Sequence, residues 1–107
     1  MNIDEASIVC SGLALVRIEN EKFIADLGDI IRYKINDAQG TDFILLAKGS
    51  HYMRNYKHTK DIYALVHARA MAMYSQRKLD SDVIEALEAI YTQQAVMTES
   101  PFVKARP

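Results

Sequence analysis

The stretch KGSHYMRNYKHTK, residues 48–60, gathers Lys48, Arg54, Lys57 and Lys60 around His51, His58, Tyr52 and Tyr56, and holds no acid. Cations interleaved with aromatic rings suit an anionic, stackable partner, because cations meet phosphates while rings stack on bases. Turning each residue by about 100° puts Lys60, Tyr63, His67, Tyr74 and Lys78 on one side of the next segment. The candidate binding surface is therefore Lys48, Arg54, Tyr56, Lys57, Lys60, Tyr63, His67, Tyr74 and Lys78. The competing reading puts Tyr63 and Tyr74 in a second packing interface, with the lysines reaching past its ends to water.

Other chemistries find less in the chain. The histidines are spaced His51-x6-His58 and His58-x8-His67, which is no zinc pattern, and the single cysteine, Cys10, is far away in sequence. No G-x-S-x-G elbow, Gly-rich phosphate loop or paired-carboxylate motif occurs. The expectation is a protein without catalytic residues, metal or cofactor. Cys10 lies in an apolar run with no adjacent cation, so it reads as a small buried hydrophobe and not as a reactive thiol.

The net charge of −1 conceals a segregation. Residues 1–46 carry eight acids and four Lys or Arg, and residues 80–107 carry five acids and two. Between them, residues 47–79 carry seven Lys or Arg against Asp61 alone. Such a block is either matched by acidic neighbours, within the fold or across a dimer, or presented as a one-sided patch to an acidic protein or a phosphate backbone. The matched arrangement is the commoner fate of charge blocks on small domains.

Half of the 107 residues are hydrophobic and a quarter charged, a globular composition that suits one domain and argues against disorder. Asp4 and Glu5 stand where a signal peptide needs positive charge, and no apolar run reaches the length of a membrane span. The expectation is a soluble cytoplasmic protein that does not engage a membrane.

The elements that position these residues read mostly as helices. From Glu21 to about Asp37, the residues Phe23, Ile24, Leu27, Ile30, Ile31 and Ile35 share an arc, with Asn20 as N-cap and Gly40 beyond the end. Thr41-Asp42 opens a short helix ending at Gly49, with a buried strand as the other reading; residues 50–58 form a loop. Thr59 caps a helix running to about Lys78, and Asp80-Ser81 cap another running to about Met97. Residues 7–18 are apolar nearly all round and are assigned to helix. The predicted fold is an all-α bundle of four to five helices. An α+β fold, with an N-terminal hairpin or sheet on the two C-terminal helices, is the alternative. Residues 1–98 form the domain and residues 99–107 a flexible tail.

A helix-turn-helix reading of the last two helices fails, because Asp82, Glu85 and Glu88 would face the phosphates. Arg69 and Gln76 sit within the apolar arc of the basic helix, and Gln94 within that of the last helix. Buried polar residues fix register between helices, and a buried arginine needs an anion, so Arg69 and Gln76 suggest an oligomer interface, that of a homodimer. The functional expectation is a small non-catalytic regulator or adaptor that binds a protein partner, an acidic one if the basic block is the contact. Nucleic-acid binding by residues 48–78 is the alternative.

Overall fold

The first helix begins on a reciprocal cap. The Asn2 side chain accepts a hydrogen bond from the Glu5 amide at 2.8 Å, and the Glu5 carboxylate accepts one from the Asn2 amide at 3.2 Å. In this computed structural model, which describes residues 1–16 and 20–93, the fold consists of helices α1 (Ile3–Leu15), α2 (Glu21–Lys34), α3 (Gly40–Met53), α4 (Ile62–Ser75) and α5 (Ser81–Gln93). A 3-10 turn, Ile35–Asp37, extends α2. No strand occurs among the described residues, so the all-α expectation holds and the mixed alternative is set aside. Gln94, Met97 and the tail 99–107 lie outside the described residues.

Ile3, Ala6, Ser7, Cys10 and Leu13 of α1 are buried at helical spacing, while Ile8, Leu15 and Val16 are exposed. Apolar residues on both the packed and the outer side are why α1 shows no clean face in sequence. In α2 the pattern is clean: Ile24, Leu27, Gly28 and Ile31 turn inward, and the Asn20 side chain accepts from the Phe23 amide at 3.0 Å. Phe23, expected on the buried arc, is exposed at its edge.

Helix α3 is the centre of the bundle. It packs along α1 over most of its length and meets both α4 and α5 on its other sides. Accordingly Asp42, Phe43, Leu46, Ala47, Gly49, Ser50 and Met53 are all buried. Two boundaries differ from expectation here. Gly40 does not follow a helix end; it opens α3, close against Val83 at the start of α5. The helix also continues through Gly49 to Met53, because Gly49 lies against the Cys10 backbone in the crossing with α1 and does not end the helix. The loop expected over 50–58 is thus helical up to Met53.

Helix α4 also starts and stops inside its expected limits. Thr59 does not cap it with its side chain: the residue is fully buried and its hydroxyl donates to the Met53 carbonyl at 2.8 Å. After Ser75 the chain closes with Arg77 in the left-handed region at φ 59°, its amide donating to the Tyr74 carbonyl at 3.0 Å. The Lys78 amide donates back to the Met73 carbonyl at 2.9 Å, the bond pattern of a helix end usually made with glycine.

Candidate partner-binding site: an ordered basic connector

Residues 54–61, between α3 and α4, are held from several sides. Successive turns run through them, with Tyr56 N–H donating to the Met53 carbonyl at 3.2 Å and Thr59 N–H to the Tyr56 carbonyl at 3.2 Å. The Tyr52 and Tyr56 hydroxyls are 3.1 Å apart and share a hydrogen bond. From α2, Arg32 reaches across: its Nε is 3.0 Å from Asp61 Oδ2 and its Nη2 2.6 Å from Asp61 Oδ1, a two-pronged ion pair. The same guanidinium donates to the His58 carbonyl and to Asp29. Arg32 holds the Asp61 carboxyl below the usual carboxylate range, chiefly by hydrogen bonding. The Thr59 methyl rests where Gly28 leaves α2 without a side chain.

On this frame the cations stand outward. Lys48, Arg54, Lys57, His58 and Lys60 are exposed. Among the described residues no ion pair involves Lys48, Arg54, Lys57 or Lys60, and Asp61, the one acid of the basic block, is committed to Arg32. Ion pairs among the described residues thus supply no internal matching for these four side chains. An acid does border the surface: Glu21 lines a shallow cleft of about 220 Å³ together with Asn55, Tyr56 and Lys57.

The aromatic residues are placed differently. Tyr63 is 7% exposed and its ring is used on three sides. The Arg54 guanidinium carbon lies 5.4 Å above it, and the rings of His51 and Tyr91 meet it edge to face at 6.0 and 5.9 Å. His67 is half-buried, edge to face with Tyr91 at 5.4 Å. Tyr52, Tyr56 and Tyr74 are half-buried and pack on the core. Helix α4 is covered from two directions, by α3 and by the ring of Tyr91 on α5, so a side that lies opposite the Ile62–Val66 arc is still interior.

The nine residues singled out in sequence thus divide. Lys48, Arg54, Lys57 and Lys60 are exposed around the connector, with Tyr56 beneath; Tyr63, His67 and Tyr74 serve packing; Lys78 stands beyond the far end of α4. Arg69 is half-buried and Gln76 is exposed at the end of α4. Arg32, Asp61 and Thr59 organise the connector and had no sequence signal as site residues, since their contacts cross from one helix to another.

Among the described residues no group of three His, Cys, Asp or Glu side chains could hold a metal ion, and no helix is long and apolar enough to cross a membrane. The chain matches no family model, no curated protein and no solved structure against which it was compared.

Burial lowers the proton affinity of His67, and burial together with the Arg54 charge lowers that of His51. An unfolded histidine titrates at about 6.5, so below that pH the unfolded chain takes up protons that the folded chain does not, and stability falls. The expected result is a Tm that declines as pH drops from about 7 to about 5, with a smaller decline in His67→Gln. An unchanged slope in that variant would show that His67 is not held neutral by packing. The Asp61–Arg32 pair adds stability that is fully present above the ordinary carboxyl value of 3.8 and is lost as pH falls below it through the depressed folded value.

Proposed function

We propose that this chain is a small non-catalytic regulator or adaptor that docks an acidic segment of a protein partner on Arg54, Lys57 and Lys60. One observation carries this reading: among the described residues the cations of the connector are exposed and form no ion pair, on an ordered frame, while the rings of Tyr52, Tyr56 and Tyr63 are engaged in packing. A nucleic-acid surface would pair its cations with open ring faces for stacking. An acidic peptide needs only charge and a preformed arrangement, which spares ordering cost on binding. A cytoplasmic setting accords with this reading, since the lone buried Cys10 can make no disulfide within the chain. A homodimer through Arg69 with Gln76 has less support, because Gln76 is exposed at the end of α4 and is not a buried polar residue of the kind that fixes register between helices.

The test is fluorescence anisotropy of a labelled glutamate-rich peptide, single-stranded DNA, duplex DNA and RNA, each titrated at two salt concentrations. The peptide is expected to bind, more weakly at high salt, and Lys57→Glu with Lys60→Glu is expected to lose at least about tenfold in affinity. Wild-type affinity in the double variant would refute the surface. Micromolar or tighter, steeply salt-dependent nucleic-acid binding with none by the peptide would establish the alternative.

A further inference from the structure

At the opposite end of α4 from the connector, Asn36, Ala38, Gln39, Arg69, Met73 and Lys78 line a cleft of about 400 Å³. Its walls are the 3-10 turn with the two residues after it and the C-terminal half of α4. Arg69 is half-buried, forms no ion pair among the described residues, and its Nε is buried without a hydrogen-bond partner. An Nε cut off from water without a partner is costly, and a half-buried guanidinium is stabilised where an anion joins it.

The surroundings are made for an anion. Among the described residues no carboxylate lines the cleft; Asp37, between Asn36 and Ala38 in sequence, is exposed and outside the wall. A second cation, Lys78, is brought to the rim by the left-handed turn at Arg77, which folds the Lys78 amide back onto the Met73 carbonyl. Left-handed backbone is unfavourable for a residue with a side chain, so this placement is maintained at a conformational cost. The Asn36 and Gln39 side chains add neutral donors.

We infer that this cleft binds a phosphate group, held by Arg69 and Lys78, as a small phosphate monoester. The guanidinium fork matches phosphate oxygens and Lys78 supplies a point charge. The cleft exceeds the size of inorganic phosphate and falls in the range of small-molecule sites. It is separate from the docking surface, so either can fail alone.

Amide chemical shifts of the full chain are followed during titration with inorganic phosphate, with glycerol 3-phosphate and with acetate. Saturable shifts centred on Gln39 and Lys78 are expected with both phosphates, tighter with the monoester, and absent with acetate. Tighter inorganic phosphate would make the free ion the natural occupant and overturn the monoester. Arg69→Met is expected to weaken phosphate binding at least about tenfold and to leave the phosphate-free Tm unchanged or higher. No saturable shift at tens of millimolar phosphate would overturn the inference. So would a lower phosphate-free Tm in Arg69→Met, or a dimer that this variant splits in light scattering, since Arg69 would then be satisfied by protein.

Discussion

Gly49→Ala is expected to lower Tm by on the order of 15 °C, a loss of about 3 kcal/mol. Helix propensity alone argues the opposite, because alanine within a helix is favoured over glycine by about 1 kcal/mol. The packing decides the sign. A Cβ at Gly49 would overlap the carbonyl oxygen and the sulfur of Cys10, and a backbone carbonyl in a helix cannot step aside as a flexible side-chain tip can. Relief requires α1 to move away from α3, opening the most extensive helix contact of the fold. Gly12→Ala is the control: nothing lies within 4 Å of a Cβ there, so the propensity gain of about 0.5–1 kcal/mol should appear as a raised Tm. Thermal unfolding followed by circular dichroism checks both. A neutral Gly49→Ala would mean that α1 and α3 are not in this close contact.

The second large effect is expected at Thr59. Thr59→Ala removes a buried hydroxyl that donates to the Met53 carbonyl at 2.8 Å and a methyl group that fills the space over Gly28. A lost buried hydrogen bond costs about 1 kcal/mol and the unfilled methyl volume about another 1 kcal/mol. The sum, about 2 kcal/mol, is a sizeable share of the roughly 5–15 kcal/mol that stabilises a domain of this size. Thr59→Val separates the two contributions, because it keeps the shape and loses only the donor. Met53 retains the Tyr56 amide as a partner, so the valine variant should lose less than half as much. Urea unfolding gives both values. Equal stability of the alanine variant and wild type would show that Thr59 does not anchor the connector. Its loosening should also weaken peptide binding at Arg54, Lys57 and Lys60, as their arrangement is no longer fixed in advance.

How legible the fold was depended on where each helix keeps its polar residues. Helices α2 and α5 have one apolar and one charged side, and Ile24, Leu27 and Ile31, or Val83, Leu87 and Tyr91, mark the buried face directly. Helix α1 has exposed Ile8 and Leu15 as well as buried Cys10 and Leu13, so periodicity names no face; it spans Ile3–Leu15 and not 7–18, because the Asn2–Glu5 cap, unread in the sequence, starts it earlier. The Tyr63 stripe, which the sequence leaves open between recognition and packing, shows what a helical wheel cannot settle. On a helical wheel it lies away from Ile62 and Val66, and a wheel assumes one buried side; the approach of Tyr91 gives α4 a second. Gly40 and Gly49 misled in the same manner, since glycine punctuates helices in isolation but also lets them approach one another. The cations of residues 48–60 were legible from composition. The clamp beneath them, Arg32 with Asp61, was not, because it joins residues 29 apart through tertiary contact alone.

The closeness of α1 and α3 also makes the protein its own reporter. Cys10 is the one thiol, it is fully buried, and burial pushes its pKa up to about 12, so almost none is thiolate at neutral pH. An alkylating reagent must wait until α1 parts from α3, after which an ordinary thiol is labelled quickly. When reclosing outpaces labelling, the rate of modification measures the free energy of that opening without added denaturant. An opening free energy below that of global unfolding would show that the central helix pair parts on its own, in the unaltered chain.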